Sequence, residues 1–279
     1  MSDRKYTLTR TGDSTRTLFC PEYEQTMHSD SGAYNEALCM HLYPSGLLDR
    51  KQDFFRVLDI GFGLGYNILA LLVESNRLHP KRMIEIVSLE KDRSYAPYMK
   101  KIVFHDGRDD YYGEIRRAYE KGRLAGRNFS LEFMFGDART SISRLEDDGF
   151  TGMFHDPFSP SKNPELWSVD FFRMLWGKMS QGGRLTTYSS ALHIRAALLR
   201  AGFSVGRGPS YGRKKEGTVA AKGPMRDGVF SEEYAGSLSR EVKATPYRDP
   251  ELRESREVIV QRRIEEMKRI RACRQAHQE

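Results

Sequence analysis

Short apolar runs, each closed by a glycine or an acid, recur along this chain between longer runs of mixed character. Phe54-Phe55-Arg56-Val57-Leu58-Asp59-Ile60 stops at Gly61, and Ile68-Leu69-Ala70-Leu71-Leu72 follows the glycines. The first run has the length of a buried strand and the second opens a helix. Met83-Ile84-Glu85-Ile86-Val87-Ser88-Leu89 repeats the strand pattern and ends in Glu90. Residues 95–103 predict a helix, and 106–127 reads as a polar, charged insertion carrying Tyr111, Tyr112 and Tyr119. A third strand over 130–135 ends in Gly136-Asp137-Ala138, and a fourth over 152–155 ends at Asp156. A helix over 169–179 follows, then Gly182-Gly183 and a fifth strand over 184–188. A helix over 192–200 stops at Gly202, and strands at 203–205 and 217–221 finish the sheet. Strands alternating with helices predict an α/β fold, its sheet doubly wound and mostly parallel, with ligands at the carboxyl ends of the strands.

The flanks have a different texture. Residues 1–20 are polar with alternating Thr and Leu, which predicts a hairpin or an extended arm; 21–29 are polar and aromatic, and 32–38 suit a short helix. The chain thus divides into an N-terminal extension (1–50) packing over the ligand site, a central domain (51–222), and a tail (223–279). The tail opens turn-rich, around Thr245-Pro246-Tyr247-Arg248-Asp249-Pro250. It closes in a charged helix over 251–275 with one narrow apolar stripe, Val260, Ile264 and Met267. That helix reads as a solvated one docked by its stripe, or as a basic arm for RNA.

Glycines at 61, 63 and 65 let a strand turn sharply into a helix and leave backbone N–H groups aimed at a ligand. The spacing G-x-G-x-G departs from the dinucleotide fingerprint, which wants a further glycine in the last slot. Glu90, at the end of the second strand, suits both hydroxyls of a ribose. Asp137 and Asp156 fall at the ends of the third and fourth strands. A tight strand–helix turn in any α/β protein is the plainer reading of the glycines alone. Glycine loop plus strand-end carboxylate resembles S-adenosylmethionine-dependent methyltransferases, with Asp137 near the adenine. His28 is either a surface histidine or part of a segment folded over the cofactor.

Composition narrows the partners. The 279 residues carry 45 Lys and Arg against 38 acids, a net charge of +7, and a pI of about 9.2. That permits a polyanionic partner without demanding one. Cys20, Cys39 and Cys273 lack metal-ligand spacing and read as free thiols, so no metal is expected. No run approaches the roughly 18 apolar residues of a membrane span, and a cytoplasmic protein is expected.

Residues 154–167 read FHDPFSPSKNPELW. A protonated amine has no lone pair, so an amine-methylating site must present it neutral; a carboxylate accepting an N–H bond orients it and takes the released proton. Asp156 suits that role, Pro157 stiffens the loop, and Phe158 offers a wall for a planar base. A capping or purely structural role is the alternative for Asp156. The stretch 156–167 resembles the D-x-F-x-P-x-K-N-P-x-x-W signature of the methyltransferase domain of MnmC. Gly61-Phe62-Gly63-Leu64-Gly65-Tyr66-Asn67, Gly136-Asp137-Ala138, Gly182-Gly183 and Tyr211-Gly212-Arg213-Lys214-Lys215-Glu216 extend the likeness over roughly residues 21–221.

The resemblance implies a Rossmann-like class I fold using S-adenosyl-L-methionine. It implies methylation of 5-aminomethyl(-2-thio)uridine to the 5-methylaminomethyl form at the tRNA wobble position. Gly61, Gly63, Gly65 and Asn67 would shape the cofactor loop, Glu90 bind ribose, Asp137 and Ala138 face adenine, and Asp156 orient the amine. Lys162, Arg213 and Lys214 are candidates for tRNA phosphates, and Phe158 or Tyr211 for stacking on the uracil. No second dinucleotide loop is present, so a stand-alone methyltransferase is expected, with another enzyme supplying the aminomethyl group. Pro157 stands where bifunctional members commonly show Gly. Two other readings compete: a small-amine methyltransferase or aminopropyltransferase of spermidine synthase type, or an RNA-binding module with a vestigial cofactor site. An open, positively lined cleft favours RNA; an enclosed acidic one favours a free polyamine.

Overall fold

Five of the apolar runs become five neighbouring parallel strands. The structure is a computed structural model describing residues 6–212, 216–225 and 228–276. Three short strands come first, β1 (Thr7–Arg10), β2 (Arg16–Cys20) and β3 (Gln25–Thr26), paired antiparallel in a sheet of their own. The chain then passes through α1 (Ala33–Glu36), a π-helical turn (Ala37–Leu42) and α2 (Tyr43–Ser45). The main fold runs β4 (Phe54–Ile60), α3 (Tyr66–Leu78), β5 (Met83–Glu90), α4 (Ala96–Met99), α5 (Arg108–Lys121), β6 (Arg123–Ala125) and β7 (Phe129–Phe135). It continues with α6 (Ala138–Ile142), β8 (Phe150–His155), α7 (Val169–Lys178), β9 (Met179–Thr187), α8 (Leu192–Ala201), β10 (Ser204–Arg207) and β11 (Thr218–Ala221). The tail holds α9 (Glu232–Arg240) and α10 (Arg256–Gln275).

The main sheet has the order β10-β11-β9-β8-β4-β5-β7-β6. Strands β9, β8, β4, β5 and β7 are parallel, and the edges β6 and β10–β11 are antiparallel. Successive strands spread outwards in opposite directions from β4 and β8, so the crevice forms between the ends of these two. Side chains alternate across β4: Phe55 and Val57 join one buried layer with α3 and α5, and Leu58 and Ile60 join the other with α7 and α8. Leu18, Cys20, Tyr23 and Ala33 pack into the first of these layers, so the N-terminal sheet shares the core of β4 and α3.

Several boundaries differ from the sequence reading, each for a physical reason. Residues 106–127 are not an insertion: α5 buries Tyr112, Ile115, Ala118 and Tyr119 on one face and shows its charges on the other. The helix expected over 95–103 is only the single turn α4. Strand β9 starts at Met179, upstream of the glycines. It accommodates Gly182 at φ 73° and a register shift between Phe150 and Gly152. In the tail, Ser255 caps α10, which begins at Arg256, five residues later than the expected 251. The anchor of α10 is Ile259, fully buried, whereas Val260 and Met267 are half-buried and Ile264 is exposed. Arg248, on the stretch leading into that helix, forks onto Asp170 of α7 at 2.9 and 3.0 Å. Among the described residues no helix is long and apolar enough to cross a membrane, and no group of three His, Cys, Asp or Glu side chains is placed to hold a metal.

Candidate active site

The three glycines after β4 all have left-handed backbone, at φ 86°, 56° and 81°, but serve different ends. A Cβ on Gly61 would lie 2.7 Å from the carbonyl oxygen of Asp156, so this glycine lets the loop after β8 cross directly over the turn. Gly65 caps α3, and a Cβ there would strike the ring of Phe62. At Gly63, which lines a cavity, a Cβ would sit 3.6 Å from His28 and Met27, at ordinary contact distance. The cavity holds about 850 Å³ of space between atoms, open solvent included. It lies at the carboxyl ends of β4, β5, β7 and β8.

Glu90 closes β5 and is 7% exposed. Its carboxylate accepts from the backbone N–H of Gly63 at 3.2 Å and of Asp92 at 2.8 Å. It therefore ties the glycine turn to the second strand while lining the cavity. Burial raises its pKa to about 7, the two backbone bonds only partly offsetting this. A carboxyl with a raised folded-state value favours the fold while protonated. That contribution is complete below about pH 4.3 and is lost as pH rises through about 7. Glu90→Gln should therefore gain thermal stability over the parent at about pH 8 and little at about pH 5, in cofactor-free thermal melts. A gain of equal size at both values would contradict the assigned shift.

Asp137 caps α6 and binds Arg139 through its backbone N–H at 2.9 Å and its guanidinium at 2.7–3.1 Å. Burial alone would raise this carboxyl, but the bonds from Arg139 outweigh it and hold the value below the ordinary range. Arg139 also reaches Asp249 in the tail at 2.7 Å, so the tail braces this wall of the cavity. Ala138 lies on the same wall. A Cβ on Gly136 would meet nothing within 4 Å, leaving room beside it for a flat group.

Asp156 follows β8, and its N–H continues the ladder to Ile60 O at 2.9 Å. Its Oδ2 accepts from Asn67 Nδ2 at 2.9 Å, and its Oδ1 lies 3.5 Å from His41 Nε2. The loop beyond is pinned from behind: Tyr188 donates to Pro157 O at 2.9 Å and Trp167 Nε1 donates to Phe158 O at 2.8 Å. The spaced Trp of the KNPELW stretch thus holds the loop that presents Phe158. Trp167→Phe would keep an aromatic ring of smaller volume and strand that carbonyl, and should cost about 1–3 kcal/mol or more in denaturant unfolding. An unchanged midpoint would show that the bond does not matter to stability. Phe158 stacks on Tyr23 of the N-terminal segment, centroids 4.1 Å apart and planes at 16°.

Of the residues singled out from sequence, Gly61, Gly63, Glu90, Asp137, Ala138, Asp156 and Phe158 line the one cavity. Gly65 and Asn67 do not line it; Asn67 stands behind Asp156. Lys162 is off the lining and pairs with Glu24 at 2.6 Å on the surface. Tyr211 is also off the lining and donates to Ser31 O at 3.1 Å. Arg213, Lys214 and Lys215 lie outside the described residues. Sequence reasoning did not single out Tyr23, Lys91, Tyr95, Arg139, Asn163 or Glu165, all on the lining. Asn163 and Glu165 sat inside the quoted signature, and Tyr95 lies five residues after Glu90, so local signals existed for these three. The lining carries the carboxylates Glu90, Asp137, Asp156 and Glu165 against Lys91 and Arg139. Arg139 offsets Asp137, and Arg256 lies 3.7 Å from Glu165.

Comparison with known proteins places this geometry in a family. A family described as S-adenosyl-L-methionine-dependent methyltransferase matches residues 101–223. An uncharacterised protein of Methanocaldococcus jannaschii is 31% identical over 96% of this chain and 74% of its own length. The tRNA 5-methylaminomethyl-2-thiouridine biosynthesis bifunctional protein MnmC of Ralstonia nicotianae is 30% identical over 78% of this chain and 36% of its own length. The chain spans about a third of the bifunctional proteins it matches. The crystal structure of MnmC2 from Aquifex aeolicus superposes with a TM-score of 0.83 at 30% identity, covering 96% of this chain and 87% of that one. Glu90 brings carboxylate acceptor atoms to the lining, as a nucleoside cofactor's hydroxyls require. The chain belongs to the MnmC family and is an S-adenosyl-L-methionine-dependent methyltransferase of the MnmC2 type.

Proposed function

We propose that this chain methylates the exocyclic amine of 5-aminomethyl(-2-thio)uridine at the wobble position of tRNA, giving the 5-methylaminomethyl form. The observation that carries this reading is the placement of Asp156. It is a carboxylate at the crossing of the β4 and β8 loops, steadied by Asn67 and bordering the same cavity as Glu90. S-adenosyl-L-methionine, when bound, supplies a methyl group activated on a sulfonium. Glu90 would accept both ribose hydroxyls, Asp137 and Ala138 would flank the adenine, and Gly61 and Gly63 would leave space for the methionine end, with Gly65 and Asn67 shaping the turn behind. Asp156 would accept an N–H of the aminomethyl group, aim the nitrogen's lone pair and receive the proton it sheds. Phe158, with Tyr23 against it, offers the face on which an unstacked uracil would lie. Lys162, next to the lining residue Asn163, is kept as a contact for backbone phosphate, as are Arg213 and Lys214 from the sequence. The aminomethyl group has to be installed beforehand by another catalytic centre.

The four carboxylates on the lining also favour a second reading, a free small amine as acceptor. The partial openness of the cavity and the names of the relatives weigh against it. Mass analysis of tRNA nucleosides from cells lacking this chain separates the two. Accumulated 5-aminomethyl(-2-thio)uridine supports the RNA substrate; an unchanged nucleoside pattern rejects it.

A further inference from the structure

Ahead of β4 the chain makes a π-helical turn, Ala37–Leu42, a geometry that departs from the regular helical ladder and recurs at functional sites. Its effect here is to set His41, 1% exposed, directly behind Asp156. Nε2 of His41 lies 3.5 Å from Asp156 Oδ1, and Nδ1 lies 3.4 Å from Thr186 Oγ1 on β9. Nε2 makes no hydrogen bond within normal distance, although it is fully enclosed. With Nδ1–H given to Thr186, Nε2 presents its lone pair to the carboxyl group. Other titratable groups act on the pair. Asp59 on β4, fully buried, accepts from Ser88 at 2.7 Å and interacts with both Asp156 and His41. His155 turns away to Leu166 O at 2.9 Å, and Tyr188 approaches Asp156 from β9's end.

We propose that His41 is a positioning residue that takes up, through Asp156, the proton an ammonium substrate loses before its nitrogen is methylated. This rests on the amine-methylation reading above. A carboxylate is a weak base toward an ammonium proton and an imidazole a stronger one, so a ring behind Asp156 extends the path along which that proton leaves. The proton passes from the ammonium to a carboxylate oxygen of Asp156, which becomes a carboxylic acid, and from Oδ1 to Nε2. An imidazolium then faces a restored carboxylate. The nitrogen lone pair so freed forms the new N–C bond as the donor's C–S bond breaks, sulfur keeping that pair. The product leaves as a secondary ammonium, and His41 returns its proton by the same route once solvent reaches Asp156.

The test has two arms. In the cofactor-free protein, imidazole nitrogen NMR should show the His41 Nε2 resonance changing between the parent and Asp156→Asn, because the two groups face each other at 3.5 Å. A His41 resonance identical in both proteins overturns the proposal. In the second arm, His41→Gln keeps roughly the volume but cannot take up a proton. Its single-turnover methyl transfer to tRNA bearing 5-aminomethyluridine should be about 10²-fold slower, with cofactor affinity unchanged. Its rate should also rise about tenfold per pH unit from pH 6 to 9, because the free amine then comes from solution, while the parent levels off. A profile parallel to the parent's would reduce His41 to packing. Should the parent itself fail to methylate this tRNA, the substrate reading falls. The NMR arm then still decides whether His41 and Asp156 share a proton.

Discussion

Asp156→Ala should lower methyl transfer by about 10²–10⁴-fold while cofactor binding stays within a few-fold of the parent. The asymmetry follows from where the side chain sits. Asp156 borders the cavity at the loop after β8, whereas the carboxylate that ties the glycine turn belongs to Glu90 on the other side. Removing the Asp156 carboxylate takes away the acceptor proposed to orient the amine, and it strands Asn67 Nδ2. Asp156→Asn, which keeps the shape, separates charge from packing and should be nearly as impaired. Single-turnover transfer beside titration calorimetry reads both effects. Parent-like transfer by both variants would remove Asp156 from the mechanism.

The complementary result is expected at Glu90. Glu90→Ala should weaken S-adenosyl-L-methionine binding by about 10²-fold or more, since a carboxylate accepting two hydroxyls contributes about 1.5–3 kcal/mol per bond. It also frees the Gly63 N–H, so part of the loss comes from a loosened turn. Transfer at saturating cofactor should fall only a few-fold, because the groups around Asp156 are untouched. Calorimetry across a cofactor series, with rates extrapolated to saturation, distinguishes binding from chemistry. An unchanged affinity would move the ribose elsewhere.

Strands β4, β5, β7 and β8 were legible because each is a largely apolar run closed by Gly, Asp or Glu, a pattern that burial on both faces imposes. Helix α5 was not, although Tyr112, Ile115 and Tyr119 are spaced for one face; its outward charges hid that spacing within a polar stretch. The C-terminal stripe was misplaced by one position for a related reason. Docking selects the residue facing the partner, here Ile259, and a lone helix sequence does not contain the partner. Within the site, the strand-end carboxylates could be named in advance because topology alone puts strand ends together. The opposite wall was legible only in part: for His28 a place over the cofactor was one of two readings, whereas Tyr23 and Met27 were not singled out. All three arrive from a separate small sheet, and their approach depends on packing against α3. His41 is the clearest case: no motif marks it, and a π-helical turn fixed by tertiary contacts aims it at Asp156. Gly61 was legible as a glycine but for a different reason, since its missing side chain makes way for the loop carrying Asp156.

The most direct test supplies the purified chain with S-adenosyl-L-methionine carrying an isotopically labelled methyl group and with tRNA bearing 5-aminomethyluridine. Nucleosides are then digested and weighed. Label should appear on the aminomethyl nitrogen of the wobble uridine and be absent when Asp156→Asn replaces the parent. Label on any other atom, or none with the parent protein, would contradict the account.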